Sequence, residues 1–177
     1  MDREIYTLFF NGALPGPGEV GCFLSHVKAW KHFLASYAEF ALILEDDARF
    51  DRVILNQIIE KLITCPKSWD ICSLFAPLDN HKTAPILRIS EKYQLVRTFN
   101  ETSGAVAVML NRNAAQTLLS KAYRYTLPLD HYIQRTWEFR PRLQFTVVTP
   151  SPFVEEGTSS SIAHAGRRSR PVCHRIQ

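Results

Sequence analysis

Long apolar runs are missing from this sequence. Phe40–Leu44 is a typical stretch, and nothing approaches the about 20 consecutive apolar residues that a membrane-spanning helix needs. The start, MDREIYTLFFNG, mixes charges of both signs and lacks an apolar core followed by small residues, so it does not read as a secretory leader. Four cysteines (Cys22, Cys65, Cys72 and Cys173) form no CxxC pair, which excludes a zinc knuckle or a dithiol redox motif. They read as buried or free thiols in a reducing cytoplasm. No HExxH, DxDxDG or Walker pattern occurs, which speaks against those metal and phosphate chemistries. Internal repeats and low-complexity tracts are also absent.

What remains is an ordinary globular composition. Of 177 residues, 46% are hydrophobic and 21% charged, enough for one domain with a sizeable core. The net charge of +4 is too small to point to nucleic acid. Part of it is concentrated in a tail, residues 167–177, that carries Arg167, Arg168, Arg170, His174 and Arg175. Such a tail either touches anionic head groups or is a solvated terminus. Residues 1–166 read as a single domain.

Gly12, Pro15, Gly16, Pro17 and Gly18 predict a loop-like opening. Leu24, Val27, Trp30, Phe33, Leu34 and Tyr37 then recur at helical spacing. Phe40–Leu44 reads as a strand buried on both faces. Asp51 caps a helix with a stripe of Ile54, Ile58, Ile59, Leu62 and Ile63, stopped by Pro66. Further strands are expected at Trp69–Phe75, Tyr93–Phe99, Ser103–Leu110 and Leu143–Thr149, with a surface loop over residues 76–85. Helices are expected over Asn113–Tyr123 and Leu129–Phe139, and no periodicity follows Pro150. The alternation predicts an α/β fold of βα units.

Glu45, Asp46 and Asp47 follow the first strand, where α/β sheets bind ligands. Three adjacent carboxylates suit a hard divalent cation, magnesium or manganese, although a helix-capping turn accounts for them too. Pleating directs Glu45 and Asp47 to one side and makes Asp47 the direct ligand, with Glu45 the second ligand or a sugar contact. Asp46 falls on the donor or acceptor side. Glu19, Ser25 and His26 lie near a helix start and form either an anion site or a capping network. Ser103-Gly104 allows either close approach of a sugar or a tight turn. Trp30, Trp69 and Trp137 read as core or as a sugar platform.

The segment GEVGCFLSHVKAW (Gly18–Trp30), followed by LILEDD, resembles glycosyltransferase family 25. Thr102–Ala105, Asn111–Leu119, Pro128-Leu129-Asp130-His131, Ser151-Pro152 and Ser159–Ile162 fall in that family's order. The resemblance implies a GT-A-like nucleotide-diphospho-sugar fold of Rossmann type. It also implies metal-dependent, inverting transfer of a hexose, commonly galactose from UDP-galactose, to a lipooligosaccharide acceptor. Asp130 matches the family's Asp and becomes the candidate base, although an Asp in a first helical turn also suits the helix dipole. Ser161 falls in the donor or acceptor set, and His164 is a candidate third metal ligand or a solvated histidine. The setting implied is the cytoplasm, with peripheral contact at the inner membrane of a Gram-negative bacterium. Only seventeen residues precede Gly18, so the family's usual first strand and helix are expected to be lacking. That would leave a sheet edge open to a second copy, and half the donor pocket missing. A non-catalytic glycan-binding relative or partner subunit is the alternative, and a metal-dependent hydrolase a third.

Overall fold

A computed structural model describes residues 14–78, 81–123 and 127–155. The first helix, α1 (Pro17–Ala35), begins inside the Gly/Pro-rich opening instead of after it. Pro17 sits at the first helical position, where its missing N–H costs nothing and its fixed φ suits the helix. Glu19 reaches back to accept from the Gly16 N–H at 2.8 Å. The buried face carries Phe23, His26, Trp30 and Phe33, whereas Leu24 and Tyr37 are exposed. The expected stripe is thus rotated toward residues 23 and 26, with Val27 and Leu34 packing only partly buried at its margin.

Next come β1 (Phe40–Leu44), β2 (Ala48–Phe50) and α2 (Arg52–Thr64). Asp51 caps α2 as expected, with Oδ1 accepting from Val53 N and Ile54 N at 2.8 and 3.0 Å. Leu55, Ile58 and Leu62 are buried there, and Ile63 is exposed. After a short 3-10 turn, Pro66–Ser68, come β3 (Ile71–Ser73), β4 (Thr83–Arg88), β5 (Gln94–Thr98) and β6 (Ala107–Asn111). The chain continues with α3 (Arg112–Lys121), α4 (Leu129–Gln134), a 3-10 turn at Thr136–Glu138, β7 (Phe145–Thr149) and β8 (Phe153–Glu155). The expected helix over Leu129–Phe139 therefore breaks at Arg135. Three short strands escaped the periodicity. β4 begins inside the expected loop, and β2 pairs with β8 in a separate antiparallel ribbon. Pro85 lies beside the bulge in β4, an edge position where a missing donor is tolerated.

The main sheet runs β1-β6-β3-β7-β5-β4. Only β3 and β7 pair in parallel; the other four pairings are antiparallel. The fold is therefore mixed α/β, not a stack of parallel βα units. Among the described residues β1 pairs on one side only, with β6, and most of its side chains are half-buried rather than enclosed. The small, apolar β6 is interior, as its composition suggests. Val108 and Leu110 face a core with Phe23, Trp30, Leu118 and Tyr132, while Ala107 and Met109 face Leu55, Ile58, Leu62 and Trp69. Alternation along one strand thus joins α1, α3 and α4 on one face to α2 on the other. The Trp69 Nε1–H donates to Leu62 O at 3.1 Å, and the Tyr132 hydroxyl to Leu118 O at 2.6 Å, so both polar tips are satisfied inside the core. No helix among the described residues is long and apolar enough to cross a membrane.

Candidate functional site

The site forms where β1 ends. Leu44 is the last strand residue, and Glu45 still holds the sheet through its N–H to Val106 O at 2.9 Å. A turn then closes through Ala48 N to Glu45 O at 3.2 Å. The turn leaves Asp46 exposed and Asp47 half-buried. The Glu45 carboxylate points back at α1, where Oε1 accepts from Cys22 Sγ at 3.5 Å. Burial pushes the Glu45 carboxyl above the usual carboxylate range; the Cys22 hydrogen bond opposes this, and the charges of Asp47, Asp46 and Asp130 reinforce it.

Asp130, in the first turn of α4, faces the same place. Its Oδ2 accepts from Gly104 N at 3.3 Å, and its Oδ1 from its own neighbour His131 N at 2.9 Å. Gly104 has φ +89°, and a Cβ built there would meet the Phe75 ring at 3.1 Å. Both the backbone conformation and the space demand glycine, which favours the tight-turn reading of this residue. Gln134 clamps the same loop: Thr102 N donates to its Oε1, and its Nε2 donates to Thr102 O, each at 2.7 Å. His131 Nδ1 also lies 3.3 Å from Glu101 Oε2. One face of α4 therefore fixes the loop that approaches the end of β1.

Several expectations fall differently. Glu19 is engaged at the helix start, but Ser25 and His26 lie two turns further on, so the three do not form one anion site. Ser25 is exposed. His26 is buried at 5% exposure beside Trp30, and burial lowers its pKa to about 4. It is a neutral imidazole, not a ready proton donor to a phosphate. Ser103 is exposed. Ser161, His164 and the basic tail lie outside the described residues. Trp30 and Trp69 are core, while Trp137 is 48% exposed. Trp137 borders a surface pocket of about 510 Å³ with Phe99, Arg97 and Arg142, adjoining Glu101 and Gln134.

Sequence reasoning missed Cys22, Thr102 and Gln134. The Cys22–His26 spacing was visible, but a strand-end carboxylate one helix away was not.

Asp47 supplies the test for a divalent cation. Its Oδ1 is buried and finds no hydrogen-bond partner among the described residues. An orphaned carboxylate oxygen within electrostatic reach of Glu45 is costly without a positive partner, and oxygen donors fit a hard cation. Asp47 and Glu45 therefore suit magnesium or manganese.

The description Glycosyltransferase family 25 (LPS biosynthesis protein) matches residues 16–133, most of the chain. Inactive glycosyltransferase 25 family member 3 of Homo sapiens is 28% identical over 139 residues, which cover 77% of this chain and 23% of that protein. Procollagen galactosyltransferase 2 of Mus musculus is 35% identical over 57 residues, 30% of this chain and 9% of that protein. Procollagen galactosyltransferase 1 of Danio rerio is 22% identical over 143 residues, 77% of this chain and 23% of that protein. The chain thus spans less than a quarter of the length of these relatives. The extent of the family match, with Gly18–Trp30, the strand-end carboxylates and Asp130 all inside it, places this chain in glycosyltransferase family 25.

Proposed function

We propose that the chain transfers a hexose from a nucleotide-diphosphate donor to an acceptor hydroxyl, on a GT-A-like site at the end of β1. The observation that carries this reading is that Asp47 and Asp130 both act electrostatically on Glu45 at the end of β1, with Asp47 keeping an unpartnered buried oxygen. Asp47, with Glu45 beside it, would hold a divalent cation. When bound, the cation supplies positive charge against a departing diphosphate. Asp130 is the base. The Gly104 N–H holds one of its oxygens in place, so the carboxylate is oriented before an acceptor hydroxyl arrives. In an inverting single displacement the acceptor oxygen bonds to the anomeric carbon on the face opposite the leaving group, the bond to the diphosphate breaks, and Asp130 takes the acceptor's proton.

Galactose from UDP-galactose is the donor proposed, supported by relatives whose names are galactosyltransferases. The acceptor assigned is a lipooligosaccharide, in keeping with the family description. The pocket beside exposed Trp137 offers an apolar ring for a sugar face, next to the loop that Asp130 holds. Contact with an anionic membrane would be peripheral, through the basic tail, and catalysis would take place in the cytoplasm.

Calorimetry with UDP-galactose and manganese, run beside Asp47→Ala, tests the donor site. Metal-dependent binding that weakens at least tenfold in Asp47→Ala is expected. Asp130→Asn should then bind donor normally and lose turnover. The relatives named as inactive favour a second reading, a binding relative without catalysis. Absence of metal-dependent nucleotide binding would select it.

A further inference from the structure

Cys22, His26 and Glu45 have no shared role in the transferase reading, yet their side chains meet. Among the described residues, the Cys22 Sγ, a His26 ring nitrogen and a Glu45 carboxylate oxygen all lie within 4.8 Å of one another. Cys22 and His26 stand four residues apart on α1, which stacks them on one helix face. Glu45 arrives from the end of β1, so two rigid elements hold the three donors. The Cys22 Sγ to Glu45 Oε1 separation is 3.5 Å. Zinc with bonds of about 2.3 Å to sulfur and about 2.0 Å to oxygen has a tetrahedral ligand edge of about 3.5 Å. That edge is already formed, and a His26 ring nitrogen stands within 4.8 Å of both atoms.

We propose that Cys22, His26 and Glu45 form a binding site for zinc, distinct in donor chemistry from a hard-cation site at Asp47. The mixed sulfur, nitrogen and oxygen set selects a borderline-soft cation, where magnesium and manganese prefer oxygen alone. Burial has already left His26 neutral, with a lone pair to give. The Cys22 thiol has its proton directed at Glu45. On binding, that S–H bond breaks, its proton passes to solvent and a sulfur–zinc bond forms. Asp130 and Asp47 add negative charge close by, and three protein ligands leave a fourth position for water. The site stands whether or not the chain transfers sugar. In a transferring chain, zinc commits Glu45 to the α1 side and so competes with its role beside Asp47.

The test uses the full chain, reduced and without nucleotide, so its outcome is independent of donor binding. Cobalt(II) serves as the coloured stand-in for zinc. A thiolate-to-cobalt absorption band is expected in the unaltered protein, displaced by zinc, absent in Cys22→Ser and retained in Cys65→Ser. Zinc affinity, measured against a chromophoric chelator, should fall at least tenfold in Cys22→Ser and in Glu45→Gln. No cobalt band, or a band that survives Cys22→Ser, overturns the proposal. Should Cys22→Ser lose its fold, the unaltered protein decides. Zinc must then slow iodoacetamide labelling of Cys22, read by peptide mass, and undiminished labelling overturns the site.

Discussion

At the scale of single residues, the candidate site depends on positions whose roles differ in how openly the sequence shows them. Asp47 and Asp130 are candidates from spacing and resemblance, and the structure sets the charges of both within electrostatic reach of Glu45. Gly104 could be read as a tight turn, but not its whole constraint, since the φ of +89° is joined by the Phe75 ring, contributed from far along the chain. Gly104→Ala should cost about 1–3 kcal/mol, the usual cost of holding a side chain in a strained backbone region. In a transferring chain it should also slow turnover by displacing the N–H that holds Asp130. Urea denaturation reads the first effect, and an unchanged midpoint would mean that the loop relaxes freely.

His26 reads from the sequence as either an anion contact or packing beside the helix start, and the structure places it on the buried face of α1 with Phe23 and Trp30. Its pKa of about 4 lies below the ordinary value of 6.5. Between those values the unfolded chain binds the proton and the folded chain does not. Stability from this group is therefore complete above about pH 6.5 and falls as the pH drops toward 4. The full loss is on the order of 3 kcal/mol at most, from about 1.4 kcal/mol per pH unit. Raised Glu45 works in the opposite sense, losing stability as pH rises through its own shifted value. In chelator, the urea midpoint should fall between pH 7 and pH 5 more steeply for the unaltered protein than for His26→Gln. Parallel curves would show that His26 does not carry the difference.

At the scale of elements, helices were more legible than strands. Asp51 marked the start of α2, because an N-cap is a local signal that needs no distant partner. The ribbon of β2 and β8 has three residues a side, too short for alternation to register. Strand polarity was likewise invisible: period two describes a strand but not the direction of its neighbour. The joint between α1 and α3 shows an element-level dependence that no motif announces. From the start of α3, Arg112 donates to Leu34 O at 2.8 Å, Ser36 O at 2.9 Å and Ala38 O at 3.0 Å. It thereby satisfies carbonyls that the end of α1 leaves free, and places a cation at the negative end of the helix. Arg112→Ala should cost about 1.5–3 kcal/mol, the range for hydrogen bonds to a charged group. Lysine should recover little of it, because an ammonium cannot span the set of carbonyls that the planar fork reaches. Thermal melts of the alanine and lysine variants check both statements, and full recovery by lysine would reduce the joint to charge alone.

At the scale of the whole molecule, β6 couples two cores that the sequence presented only as one pool of apolar residues. Trp30 reports the core on the side of α1, and Trp69 the core on the side of α2. The strand between them contributes alternate side chains to each, so neither core can open without stripping one face of β6. Leu110→Ala should therefore cost about 2–5 kcal/mol, as expected when a large buried side chain is truncated, and lower both cores together. The measurement needs two variants that each retain one buried tryptophan, Trp30 or Trp69, with Trp137 replaced in both. Their fluorescence should change at the same urea concentration, and the Leu110→Ala change should shift both midpoints equally. The same coupling bears on the site. Glu45 follows directly from β1, which pairs with β6, and Asp130 leads α4, whose Leu129, Tyr132 and Ile133 belong to the Trp30 core. If the Trp69 core melted first while Trp30 stayed native, the α2 side would be a separate cooperative unit. The carboxylate cluster would then survive on half of the fold.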